Sequence, residues 1–117
     1  MSVYKLGDHN FEAMVKQAPS PCVVMFSSAG CHLCGALKPI FREVSGQYEG
    51  KFYFFSVNTD ESEKLREKYS ADGVPTMRVF RSENFEVGHE IPYPGDGDSG
   101  YTKQSLVDYI NNFKRVE

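Results

Sequence analysis

The chain has 117 residues, with 13 Lys and Arg against 16 Asp and Glu and a formal charge of −3. That length fits one compact domain (1–117) built on a single hydrophobic core, with no need of disulfides to staple it. Interspersed charges leave no basic face for nucleic acid, and no apolar run approaches the roughly 20 residues of a membrane span. The expected partners of this monomer are therefore proteins or small thiols. Residues 1–6 lack the basic, long apolar and small-residue segments of a secretory leader, which sets the expectation of a cytoplasmic chain, with the endoplasmic reticulum as the alternative for an excised mature domain.

In chain order, Asp8 or Asn10 is placed to cap a first helix whose apolar Phe11, Met14, Val15 and Ala18 follow an i, i+3, i+4, i+7 pattern. Pro19-Ser20-Pro21 ends it. Residues 22–26 form a continuous apolar run rich in β-branched side chains, predicting a central parallel strand buried on both faces. After the small-residue turn Ser27-Ser28-Ala29-Gly30 comes a long helix with Leu33, Leu37, Ile40, Phe41, Val44 and Tyr48 on one stripe. Pro39 lies inside it and removes the hydrogen bond to the Gly35 carbonyl, so the first two turns are expected to kink.

Residues 52–57 read as a second strand and 60–69 as a charged surface helix with Leu65 and Tyr69 facing in. Residues 76–81 alternate as a third strand, and 85–91 as a fourth, antiparallel to it. Asp96-Gly97-Asp98-Ser99-Gly100 has the start of a calcium loop without its third acidic ligand or closing glutamate, so it reads as a surface loop. A last helix over 103–113 points Leu106, Val107, Ile110 and Phe113 inward. The order implies an α/β fold with a mixed sheet of four to five strands and helices on both faces.

The chemistry-bearing motif is Cys31-His32-Leu33-Cys34, at the junction of the apolar strand and the long helix. Two thiols two residues apart at a helix start can close and open a disulfide reversibly. The unpaired N–H groups and partial positive charge there stabilise a thiolate, which makes Cys31 the nucleophile, with a pKa below the free value of roughly 8.5. Cys34, one turn further in and poorly solvated, is the resolving thiol. Three cysteines cannot complete a framework of structural bridges, and Cys22, inside the strand, reads as an inert buried residue. A zinc site would need a second cysteine pair or histidines at ligand spacing; His9, His32 and His89 show none, so no metal is expected.

The buried strand, Cys31-His32-Leu33-Cys34, Pro39 and Gly73-Val74-Pro75-Thr76 fall in an order and spacing that resemble the thioredoxin superfamily over essentially the whole chain. Residues 73–80 with Tyr93-Pro94-Gly95 and the last helix look most similar to a catalytic domain of protein disulfide isomerases, with thioredoxins the near competitor. The resemblance implies a thioredoxin fold and a thiol-disulfide oxidoreductase that reduces, oxidises or isomerises protein disulfides. It implies no cofactor beyond the reversible Cys31–Cys34 disulfide, with glutathione or a thioredoxin-reductase-type protein as electron donor. Pro75 is then a cis-proline, beside which Val74 and Thr76 dock an extended substrate in the manner of an added strand. His32, Leu33 and Pro39 have supporting roles.

Three positions depart from the family pattern. Gly30 stands where a tryptophan usually precedes the first cysteine, Met25 where the central strand carries a buried carboxylate, and Ser56 where the next strand supplies its lysine partner. Losing both charges together avoids leaving one unpaired. Without the carboxylate, Cys34 must give its proton to water or a neighbour, and mixed disulfides are expected to resolve slowly. The Cys31 thiolate gains stability, more so beside a protonated His32, which favours a more oxidising couple. The histidine, however, occupies the first position between the cysteines, whereas isomerase-type motifs carry it in the second. A binding module that kept the fold with weak redox activity is the alternative function.

Overall fold

The structure, a computed structural model, describes residues 3–95 and 97–115, with side chains to residue 113. Its centre is β2 (Cys22–Ser27), in which all six residues are buried. The strand pairs in parallel with β3 (Tyr53–Asn58) and antiparallel with β4 (Thr76–Phe80). A short first strand, β1 (Val3–Leu6), adds in parallel to the outer side of β3, and β5 (His89–Glu90) adds antiparallel to β4. The five-stranded order is β1-β3-β2-β4-β5.

Because successive strand residues point to opposite faces, the apolar run of β2 feeds two cores. Val23 and Met25 join Phe54, Met77 and Val79 under α2 (His32–Gln47) and α4 (Lys103–Arg115), which contribute Leu37, Phe41, Val44, Leu106, Ile110 and Phe113. Cys22, Val24 and Phe26 join Phe55, Val57 and Phe80 under α1 (Phe11–Gln17) and α3 (Glu63–Lys68), which contribute Phe11, Val15 and Leu65. Helices thus cover both faces of a mixed sheet.

Several expectations shift in detail. The predicted set lacked β1, a four-residue strand whose two middle residues are exposed and which therefore carries no apolar signal. Met14, expected on the inner face of α1, is 40 % exposed. Of the two proposed caps, Asn10 takes the N-cap position of α1, its carbonyl accepting the Met14 amide at 3.1 Å, but its side chain turns back to the Gly7 amide at 2.9 Å; Asp8 instead accepts the Lys64 and Leu65 amides at 3.2 and 3.0 Å, capping the distant α3. That helix is shorter than expected, because residues 59–61 form a turn and Ser62 is its N-cap. β4 does not alternate: Thr76, Met77, Val79 and Phe80 are all buried, since helices cover both of its faces.

The predicted fourth strand shrinks to β5. Residues 82–84 form a 3-10 turn, and Gly88 lies against the Phe80 ring with positive φ, where any Cβ would come within 2.7 Å of that ring. Chain direction there is set by that close approach, which only glycine permits. α4 extends to Arg115, with Leu106, Ile110 and Phe113 buried and Val107 half-buried. In the acidic loop, residues 97–99 are a turn, and the expectation for Asp96 lies outside the described residues.

Candidate active site

The C-terminal end of β2 delivers the chain to a short loop that two residues after β3 hold in place. Thr59 donates its amide and hydroxyl to the Ser27 carbonyl at 2.8 and 3.2 Å. Asp60 accepts the Ala29 amide at 3.1 Å while its own amide bonds Asn58 Oδ1 at 2.8 Å. Asp60, read from the sequence as part of a solvated helix face, thus tethers the loop that precedes the cysteines. Its only sequence signal is an Asn-Thr-Asp cluster directly after a strand, where side chains fold back on nearby amides.

Cys31 is the N-cap of α2, in extended conformation, and its sulfur accepts the Cys34 amide at 3.1 Å. Cysteine thus takes the position at which serine or aspartate normally satisfies an orphan helix amide. Cys31 and Cys34 are joined as a disulfide, with Cα atoms 5.2 Å apart. Cys31 is half-buried, whereas Cys34, one turn in, is 1 % exposed. His32 projects into solvent and Leu33 is half-buried. The two sulfurs therefore differ in access although they share one bond.

Pro39 sits within α2 on its exposed side, and the helix continues through it to Gln47. No helix end forms there because Leu37, Phe41 and Val44 keep the stripe buried on either side. Opposite α2, Thr76 pairs with Phe26 in the antiparallel register, so the preceding Gly73-Val74-Pro75 segment leaves the sheet at the end from which Ser27 leads to Cys31. The Val74–Pro75 bond is cis, Pro75 is buried, Val74 is half-buried, and the Thr76 hydroxyl donates to the Gly73 carbonyl at 2.5 Å. Topology alone thus brings Cys31, Cys34 and the Val74-Pro75-Thr76 segment to one end of the sheet.

Behind the dithiol, Met25 is 1 % exposed and neighbours Ser56 on β3 and Met77 on β4. No charge is buried at that rung. Around Gly30 a Cβ would meet nothing within 4 Å, so the position is open space. Cys22 lies in the opposite core, and burial pushes its thiol up to about 12. At neutral pH it stays protonated and unreactive, separated from the other two cysteines by the sheet.

A sequence model of the family described as Thioredoxin matches residues 2–112. The chain is similar to "Thioredoxin M-type, chloroplastic" of Brassica napus, with 37 % identity over 75 residues, covering 64 % of this chain and 42 % of that protein. It is 31 % identical over 85 residues to "Thioredoxin" of Pseudomonas aeruginosa, covering 73 % of this chain and 79 % of the bacterial protein. A third relative, "Protein disulfide-isomerase A5" of Bos taurus, is 25 % identical over 107 residues, or 90 % of this chain and 19 % of the bovine one. The chain therefore spans less than half of the plant relative and about a fifth of the bovine one. With the family match running from β1 into α4 and the dithiol placed at the start of α2, the chain belongs to the thioredoxin family.

Proposed function

We propose that the chain is a thiol-disulfide oxidoreductase of protein disulfides, with Cys31 as the nucleophile and Cys34 as the resolving thiol. The observation that carries this reading is the unequal pair at the start of α2: a half-buried Cys31 whose sulfur accepts a helix amide, bonded to a fully buried Cys34. Helix amides and the macrodipole stabilise negative charge on Cys31, the sulfur a substrate can reach.

In the reducing direction the Cys31 thiolate attacks a substrate disulfide. One substrate sulfur leaves and takes up a proton, and a mixed disulfide remains. Cys34 then loses its proton and attacks the Cys31 sulfur, closing the Cys31–Cys34 bond and releasing the second substrate thiol. Two electrons pass from the dithiol to the substrate, and the reverse sequence oxidises one. No other cofactor is needed; glutathione or a disulfide-reductase protein restores the dithiol. Val74, Pro75 and Thr76 dock the extended substrate by backbone pairing, as an added strand pairs with an exposed edge. His32 and Leu33 shape the reactive turn, and Pro39 shapes the helix behind it.

The finer reading is an oxidant or isomerase, supported by the uncharged Met25–Ser56 rung behind the dithiol and by the exposed histidine beside Cys31. Equilibration in glutathione buffers of graded potential, followed by thiol trapping and intact-mass counting, tests both levels. A midpoint near −180 mV supports oxidation or isomerisation, and one near −270 mV replaces that reading with a reductant. Failure to form the Cys31–Cys34 disulfide at any potential overturns the enzyme reading and leaves a binding module.

A further inference from the structure

The rung that carries Met25 and Ser56 also produces an opening. One rung away, Val3, Phe54 and Val23 lie side by side across β1, β3 and β2, and Phe54 fills the space under α2 with its ring edge-on to Phe41 at 5.3 Å. At the next rung on the same face the order is Lys5, Ser56, Met25. Serine is too small to reach α2, and a cavity of about 330 Å³ remains above it. That size is at the lower end of small-ligand sites, roughly 300–1,000 Å³.

The cavity is divided chemically. Met25 and Phe41, each 1 % exposed, form an apolar floor, and Lys5, Lys38 and Arg42 line its mouth. Lys38 and Arg42 lie four residues apart on α2, a spacing at which like charges repel, and neither has an ion-pair partner among the described residues. Carboxylates nearby are already engaged: Glu61 with Lys5 at 2.9 Å, Glu43 with Lys103 at 2.7 Å, and Asp60 with the Ala29 amide at 3.1 Å. None of the lining residues is acidic. In a chain of net charge −3, this is a local excess of unpaired positive charge over apolar surface.

We propose that this cavity binds a small organic carboxylate with an apolar body. Its carboxylate sits between Lys38 and Arg42, where charge-assisted hydrogen bonds relieve the repulsion between them, and its hydrocarbon covers Met25 and Phe41. A neutral analogue lacks the head that the mouth selects, and an inorganic anion lacks the body that the floor selects. The site adjoins the redox loop: Ser28 lines the cavity, and its carbonyl accepts the Cys31 amide at 3.4 Å.

The test is an amide-resolved NMR titration of the full chain in its disulfide form with benzoate, benzamide and inorganic phosphate. Benzoate is expected to shift the Met25, Ser27, Ser28 and Ser56 amides saturably, at least tenfold more tightly than either benzamide or phosphate. Lys38→Gln combined with Arg42→Gln is expected to weaken benzoate at least tenfold, and Ser56→Leu, which fills the cavity, to abolish the shifts. The glutamine pair alters only exposed side chains and so reports even where Ser56→Leu fails to fold. Equal binding of benzamide, equal binding of phosphate, an unaffected glutamine pair, or saturation at another surface would each overturn the assignment.

Discussion

The two faces of the sheet are packed to different standards. Under α1 and α3, Phe11, Phe26, Tyr69 and Phe80 form a cluster of ring contacts with centroids 5.0–5.9 Å apart, and the Tyr69 hydroxyl is tied to the Phe85 carbonyl at 2.6 Å. Under α2 and α4 rings also meet, Phe41 with Phe54 at 5.3 Å and Tyr48 with Phe52 at 5.7 Å, but the packing stops at Ser56, short of the loop that carries the dithiol. Rings in edge and tilted contact hold one another in place, and on the first face Tyr69 touches all three of the others, which makes that cluster a foundation. The second carries the redox helix and leaves space beside it. The reactive end of the molecule thus borders the less completely filled face, where rearrangement meets the least packing resistance.

The largest expected effect isolates the chemistry from both cores. Cys31→Ser should abolish disulfide exchange, whereas Cys34→Ser should still attack but remain locked to substrate, visible as a mixed disulfide by intact mass. Turnover by the Cys31→Ser protein would break the assignment of nucleophile. Next, Phe80→Ala and Phe41→Ala compare the faces directly by denaturant unfolding. Loss of a buried phenylalanine costs about 3–5 kcal/mol, and Phe80, locked among Phe11 and Tyr69, should fall at the upper end. Phe41 already borders open space and should cost at least about 1 kcal/mol less, because part of its surroundings contributes no contacts to lose. Equal losses would mean that the two faces do not differ in packing energy.

This asymmetry was only partly visible in the chain. Residues 22–26 announced a doubly buried strand because burial on both faces demands an unbroken apolar run, and α2 and α4 announced themselves by helical stripes. The Cys31–Cys34 pairing and the place of Pro39 inside a helix were legible from spacing and from the stripe that runs past the proline, whereas the cis bond at Pro75 was expected only from the resemblance to the thioredoxin superfamily. Asp8 and Asp60 were misplaced for the opposite reason: each acts on amides far off in sequence, 56 and 57 residues away for Asp8 and 31 for Asp60, and spacing holds no record of such contacts. β1 escaped because pairing of its backbone, and not a pattern of side chains, makes it a strand. The cavity was hidden although Met25 and Ser56 were singled out, since only the register places Lys5 beside them.

Met25→Asp sharpens the comparison from within the open face. A carboxylate at this buried position loses apolar contact and should lower stability by about 2–4 kcal/mol. Cys34, on the reading that it lacks a base, should gain one: release of the second thiol from the mixed disulfide should accelerate, by a factor on the order of 10² at most. Stopped-flow measurement of that step, with stability followed in parallel, separates the two effects. A rate unchanged in a folded variant would remove the lack of a base as the cause of slow resolution and favour the binding-module reading.

The smallest expected effect probes how the foundation is fastened at its rim. Asp8 follows β1 and reaches across to α3, accepting the amides of Lys64 and Leu65 that the six-residue helix cannot satisfy itself. Its negative charge also lies at the positive end of that helix. Asp8→Ala removes both contributions and should cost about 1 kcal/mol, as cap removals do, lowering the melting temperature by about 4 °C. Asp8→Asn keeps an acceptor oxygen and should recover part of the loss, which distinguishes capping from a general surface-charge effect. Since α3 contributes Leu65 to the core under α1 and α3 and leads into Tyr69, the loss should appear first as faster amide exchange in α3, with α2 and the dithiol unaffected. Equal loosening of α2 would show that the two faces unfold as one unit and that their difference in packing has no mechanical consequence.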